Sequence, residues 1–203
     1  AGHMRYPPKG DRGVALGIAH DRYRPGDTAH KLRRANRETI FFPKIETRRG
    51  IENIEAIAAL DGVDGIIHLA AYQDYMPDFS TFYSVNTVST ALLFELIVAR
   101  ALPVQKIVSA SSQSVYGEGR YSCNSCGEVY PQSRPEPQLT AGEWEVGCPQ
   151  CHAKATPLPL IESAPVHPHT AYGISKYALE LTTLNLGRKY GIPTTNMRYS
   201  IVQ

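Results

Sequence analysis

The sequence predicts an α/β protein built on a doubly wound parallel sheet, with a small cysteine-bearing insertion. Three observations carry that expectation. Apolar runs of strand length alternate with segments of helical period. One run, Gly65 to Ala71 (GIIHLAA), is continuously apolar, as in strands buried on both faces of a parallel sheet. Two Cys-x-x-Cys pairs sit in a long stretch without apolar periodicity.

Each element follows in order. Gly13 to Ala19 (GVALGIA) reads as a short strand ending at His20-Asp21, and Thr39 to Phe42 as another. Ile51 to Leu60 carries apolar residues at helical spacing, and Asp61-Gly62 makes a turn into the strand Gly65 to Ala71. Ser84 to Ala101 reads helical, Val104 to Ala110 as a strand, and Ala171 to Tyr190 as a long helix. Gly191-Ile192-Pro193 stops that helix, and Thr194 to Ile201 is a last strand. In such sheets ligands bind beyond the carboxyl ends of the strands, where His68 to Ala71 and Ser109 to Ser114 both fall.

With 203 residues the chain is long enough for one domain with a small appendage. Its net charge, 21 − 19 = +2, gives no case for nucleic acid or an anionic membrane. The basic cluster Lys31-Leu32-Arg33-Arg34 with Arg37 reads as a solvated helix face, with a phosphate contact as the alternative. No apolar run approaches the ~18 residues of a membrane helix, and no signal peptide opens the chain, so a cytoplasmic location is expected.

Between Gly117 and about Pro168 the chain is rich in Pro, Gly, Glu and Cys, and a structureless loop of that length needs its own source of stability. Cys123-x-x-Cys126 and Cys148-x-x-Cys151 supply one: two knuckles, each offering two thiolates to one tetrahedral ion, the spacing of a four-cysteine zinc ribbon. Four sulfurs leave no open coordination position, so this metal is structural. Two redox dithiols or disulfides are the competing reading. His152, beside Cys151, reads as a surface residue.

Tyr172-Gly173-Ile174-Ser175-Lys176 places a phenol and an ammonium one helical turn apart on one face. A free phenol, with a pKa near ~10, is a poor base at neutral pH, and a nearby cation favours the phenolate. A serine hydroxyl from the Ser111-Ser112 stretch, held close by, would complete a device that moves a proton while a hydride moves elsewhere.

With these residues in place the chain resembles the extended short-chain dehydrogenase/reductase superfamily, in its NAD-dependent epimerase/dehydratase branch. The likeness rests on Gly62 to Ala71, Asn86-Thr87, Ser109 to Gly117 (SASSQSVYG), Tyr172 to Lys176, and Met197-Arg198-Tyr199, in the family's order. The resemblance implies a Rossmann-type fold over 5–118 and 166–203, interrupted by a zinc-ribbon insertion at 119–165. It implies Ser112 as the catalytic serine, Tyr172 as acid/base and Lys176 as its partner on the nicotinamide ribose. Ala70 and Ala71 match the backbone that passes the cofactor pyrophosphate, and Asn86 a structural asparagine of the active-site helix. Asp21 matches the acid on the adenosine ribose, and Glu46 a residue near the adenine; a solvated loop carboxylate is the alternative for each.

The implied activity is that of an NAD-dependent nucleotide-sugar epimerase working through a transient 4-keto sugar. The alternatives are an NAD(P)-dependent nucleotide-sugar reductase or dehydrogenase, and a catalytically silent relative that binds a nucleotide or a protein partner. Asp21 suits NAD and Arg22 suits NADP, with NAD preferred. Family members that eliminate water carry an Asp-Glu pair where this chain has Gln113 and Ser114, which disfavours dehydration. The insertion resembles that of a bacterial subgroup described as dTDP-L-rhamnose 4-epimerase-like. Members of the family are commonly homodimers through two helices, here Ser84 to Ala101 and Ala171 to Tyr190. Two departures stand out: no Gly-x-x-Gly-x-x-Gly opening is present, and the carboxy-terminal substrate domain of the family is expected to lie outside this chain.

Overall fold

The computed structural model describes residues 6–7, 11–13, 26–38, 44–45, 47–58 and 63–200. The chain divides into two compact units, residues 1–63 and 64–203. In the first, α1 (Thr28–Glu38) carries the basic cluster, with Arg33 3.8 Å from Asp27 and Arg34 2.8 Å from Glu38, all four side chains more than half exposed. The period expected over 51–60 becomes two short helices, α2 (Arg48–Glu52) and α3 (Ile54–Ala58). They part at Asn53, whose backbone N–H and side-chain amide both donate to the Arg49 carbonyl. The strand expected at 13–19, apart from Gly13, the strand expected at 39–42, and the candidate cofactor residues Asp21 and Glu46 lie outside the described residues.

The second unit opens with β1 (Gly65–His68), followed by one continuous helical run: α4 (Phe79–Phe82), a π-helical segment (Tyr83–Val88) and α5 (Ser89–Ala99). β2 (Lys106–Ser112) passes through a 3-10 turn (Gln113–Tyr116) into the insertion, which holds β3 (Tyr121–Cys123), β4 (Gly127–Val129), α6 (Glu136–Thr140) and β5 (Thr156–Pro157). α7 (Ala171–Tyr190) and β6 (Thr194–Tyr199) follow. β1, β2 and β6 form a parallel sheet in the order β1-β2-β6. The insertion has an antiparallel sheet of its own, β4-β3-β5.

Strand register explains where the helices lie. Side chains alternate faces along a strand, and the register aligns Ile66 with Ile107 and Thr194, and His68 with Ser109 and Asn196. Ile107 and Ser109 are fully buried, and Phe94, Ile97, Val104 and Ile107 form the core there with Leu186 and Ile192 against them. On the opposite parity Ile67 is 48% and Met197 41% exposed. Within this unit α5 and α7 pack on the face that carries Ile107.

Element edges also differ from the sequence reading. β2 begins at Lys106 and runs to Ser112, two residues beyond the expected strand, because its pairing with β6 continues to the Ser112–Tyr199 register. The helix expected from Ser84 starts at Phe79. The run Phe79–Ala99 is long and apolar enough, by length and composition, to cross a membrane, contrary to the sequence reading. It carries the buried polar residues Asn86 and Thr90 beside buried Phe94 and Ile97, the pattern of a helix packed on a sheet.

Candidate active site and cysteine cluster

Helix α7 brings the site together because its first turn is locally well specified. Thr170 caps it by accepting a 3.0 Å hydrogen bond from the Gly173 N–H, and Gly191 ends it at φ +68°, a conformation that favours glycine. Gly173 is demanded by packing. A Cβ there would lie 2.7 Å from the Ser114 carbonyl oxygen and 3.2 Å from Pro168 Cβ, so only a bare Cα lets α7 approach the 3-10 turn this closely.

One stripe of α7 then bolts it to the end of β2. The Lys176 ammonium is 1% exposed and donates to the Ala110 carbonyl at 2.7 Å. Burial pushes its pKa down to about 8. It lies 5.9 Å from the centre of the Tyr172 ring. One turn further on, Glu180, 3% exposed, accepts a 2.5 Å hydrogen bond from the Ser111 hydroxyl. Arg198 on β6 grips the same carboxylate in a fork, Nε to Oε1 at 2.9 Å and Nη2 to Oε2 at 2.7 Å. Its Nη1 donates to the Tyr116 hydroxyl at 2.7 Å. That carboxylate and phenol hold the guanidinium pKa above its ordinary value.

Ser112 ends β2 and caps the 3-10 turn, accepting from the Ser114 N–H at 3.1 Å and donating to the Ser114 hydroxyl at 3.0 Å. It is 7% exposed. Asn86 sits in the π-helical segment, fully buried, and holds Tyr72 on both sides: its Oδ1 accepts from the Tyr72 N–H at 2.8 Å and its amide donates to the Tyr72 carbonyl at 3.1 Å. The same amide donates to Ser175 on α7 at 2.9 Å. π segments are rare and concentrate at functional sites. This one turns Asn86 into a brace between α7 and the chain leaving β1. Ala70 and Ala71 lie exposed on that departing chain.

A second tyrosine nearby, Tyr72, has its hydroxyl engaged elsewhere. Tyr72 stacks edge-on against Phe82, which in turn meets Tyr172 at 6.5 Å. A 2.6 Å hydrogen bond to Asp78 pushes the Tyr72 phenol up to about 12. Its proton is held. His68, beneath the site, bonds Thr90 at 3.1 Å; burial and then the Lys176 charge lower its pKa, favouring neutral imidazole.

The sulfurs of Cys123, Cys126, Cys148 and Cys151 lie within 4.8 Å of one another. A tetrahedral ion with Zn–S bonds near 2.3 Å sets its sulfurs roughly 3.8 Å apart, so the donor set fits one such ion. Cys123 and Cys148 are buried against Val129 and Ala155. The Cys151 backbone N–H chiefly holds the Cys148 thiol down to about 7. Hydrogen bonding to Cys151 and burial push Cys126 up to about 12. Four clustered thiols cannot all ionise without a cation, and a bound cation displaces their protons. His152 stands outside the cluster at φ +61°, the place in its knuckle that Gly127 holds in the other at φ +76°.

The structure thus brings Ser112, Tyr172, Lys176 and Asn86 to one end of the sheet, with Ala70 and Ala71 on the chain leaving β1. Sequence reasoning missed Glu180, named Ser111 only with Ser112, and gave Tyr116 and Arg198 no role of their own. Glu180 did carry a signal: an acidic residue four positions after Lys176, on the same helical stripe as Tyr172.

A family model of NAD-binding proteins, described as Male sterility protein, matches residues 35–203. Among curated proteins, 5-keto-4-deoxy-D-glucarate aldolases of Escherichia coli strains such as K12 / DH10B are 40% identical over 62 residues, which is 30% of this chain and 23% of theirs. Among solved structures, UDP-glucose 4-epimerase from Thermotoga maritima, determined with UDP-glucose, is 22% identical with a TM-score of 0.51, covering 83% of this chain and 43% of that one. That likeness shows the Rossmann-type fold. A short-chain dehydrogenase/reductase superfamily protein from Agrobacterium tumefaciens with bound NAD is 25% identical at a TM-score of 0.48, covering 78% and 36%. The UDP-Glc/GlcNAc 4-epimerase from Campylobacter jejuni is 21% identical at 0.48, covering 86% and 42%. The chain spans less than half the length of each of these proteins.

Proposed function

Because this chain belongs to the NAD-binding family described as Male sterility protein, we propose that it represents an NAD-dependent enzyme of the short-chain dehydrogenase/reductase type that acts on a nucleotide sugar, epimerising it through a transient 4-keto sugar. The observation that carries this reading is the buried Lys176 ammonium one helical turn from Tyr172, with Ser112 at the end of the neighbouring strand. The residues present fit the cofactor. Lys176 uses one of its three N–H donors on Ala110 and keeps the others for a ribose diol, and Ala70 and Ala71 offer small side chains where backbone must pass a pyrophosphate. Lys176, Ala70 and Ala71 would hold NAD, which would supply reversible hydride chemistry at the sugar carbon.

The chain's own residues move the proton. Tyr172 serves as the acid/base beside Lys176, removing the proton of the sugar 4-hydroxyl and later returning it to the keto oxygen. Ser112 presents its hydroxyl to that oxygen and steadies it between the two residues. Elimination of water is not part of the proposal, because Gln113 and Ser114 offer no acid and base; the Ser114 hydroxyl accepts the Ser112 proton within the turn. UDP- and dTDP-linked sugars are the substrates to try first, the rhamnose-linked one included, since the four-cysteine insertion resembles that of such a subgroup. Four thiolates hold a structural zinc. Exposed Leu92, Val98, Leu181 and Leu184 on α5 and α7 give a homodimer an apolar helical face.

The stretch of aldolase similarity suggests no second activity. Its 62 residues make up 23% of those aldolases, too small a share to carry their activity to this chain. The test is turnover of nucleotide sugars by the intact protein and by Tyr172→Phe. The variant is expected to lose at least about 100-fold in kcat while still binding NAD. Full activity in Tyr172→Phe would sink the assignment, and net oxidation or reduction of cofactor would move it to a reductase.

A further inference from the structure

The insertion lies in sequence between Ser112 and Tyr172, and its contacts reach both. Val129 and Tyr130 are consecutive and face opposite ways. Val129, 3% exposed, packs on Cys123, Cys148 and Ala155. Tyr130 packs on the cluster of Val115, Tyr116 and Ala164, directly after the Ser112 turn. Tyr116 is the phenol that receives Arg198, and through Glu180 and Ser111 that network reaches the end of β2. The second route runs through the other exit of the insertion. Ser133 bonds His169 Nδ1 at 2.6 Å, and His169 precedes Thr170, the cap of the helix that carries Tyr172. The His167 N–H ties to the Val115 carbonyl at 2.9 Å, and Gly117 passes so close to His167 that a Cβ would overlap its carbonyl.

We propose that the metal-bound ribbon positions the active site: with its four cysteines on one ion, it presses Tyr130 onto the Val115–Tyr116 turn and holds Ser133 on His169, setting Ser112 and the first turn of α7 relative to each other. Tyr130 and Ser133 are positioning residues, since neither touches the reacting groups. A chain segment of this length with little apolar content has no comparable means of keeping those contacts once the ion is gone. The proposal rests on the reading of the cluster as a metal site, and the experiment separates the two.

Cobalt(II) is loaded in place of zinc, so that thiolate-to-cobalt absorbance reports the metal, and amide exchange of Gly173 to Lys176 reports the helix turn. Removing the ion with a chelator is expected to speed that exchange by about tenfold or more. Tyr130→Ala should do the same while keeping the cobalt absorbance, and Tyr130→Phe, which keeps the ring and loses the hydroxyl, should restore protection. In active protein the same pair should show lowered kcat for Tyr130→Ala and recovery in Tyr130→Phe. Loss of cobalt absorbance with unchanged exchange overturns the positioning role and leaves the metal site standing. Absence of cobalt absorbance from the wild-type protein overturns the metal reading, and this inference with it.

Discussion

The Lys176 ammonium and the Ala110 carbonyl meet at 2.7 Å with the lysine almost wholly sealed from solvent. One carbonyl is a weak substitute for water around a full charge, so burial pushes the Lys176 pKa down to about 8, against an ordinary value of 10.5. Between those values the unfolded chain binds more protons than the folded one, so stability rises with pH across that window. The full gain is about 3 kcal/mol. Urea unfolding at pH 7.5 and 10.5 should show this rise in the wild type and its loss in Lys176→Met.

Glu180 and Arg198 should behave as a buried pair. Arg198→Met leaves the Glu180 carboxylate with Ser111 as its remaining hydrogen-bond partner and is expected to lower stability by ~3 kcal/mol. Glu180→Leu combined with Arg198→Met removes both charges and should recover much of that loss. A double-mutant cycle in urea checks it. Additive losses would show that the two side chains are not coupled.

Gly173→Ala sets helix propensity against packing. Propensity alone favours alanine by about 1 kcal/mol. The new Cβ would stand 2.7 Å from the Ser114 carbonyl oxygen, which is backbone and cannot swing aside. Destabilisation by roughly 1–3 kcal/mol is expected. A rise in the thermal midpoint would mean that α7 does not lie this close to the Ser112 turn.

His152→Gly tests the knuckle geometry. His152 holds φ +61° where Gly127 holds φ +76°, and a side chain in that conformation costs about 1 kcal/mol or more. The glycine variant should melt higher, with metal stoichiometry unchanged, as read by calorimetry and metal analysis. Loss of metal on this substitution would instead make His152 a ligand.

Much of the fold is legible in the order of residues alone. The apolar run at Gly65 to His68, the helical stretch from Ala171 and the break at Gly191 follow from local pattern, and β1, α7 and its αL cap lie there. The two cysteine pairs announce their cluster by spacing, and Tyr172 and Lys176 announce theirs by standing one turn apart. The π segment is not legible in this way, because its register is held by what Asn86 touches, Tyr72 before it and Ser175 far along the chain. Nor is the end of β2, which is decided by how far β6 runs beside it.

Residue chemistry and local periodicity were enough to name β1, β2, α5, α7 and β6, the pair on α7 and the four sulfurs, since each depends on spacings of a few residues. The partners of those groups were decided by the tertiary structure. Lys176 finds Ala110, Glu180 finds Arg198 and Tyr130 finds Tyr116's turn across gaps that no local pattern encodes. The physical reason is that burial sets the cost of each charge and hydroxyl, and burial is a property of the packed sheet and helices rather than of any one segment.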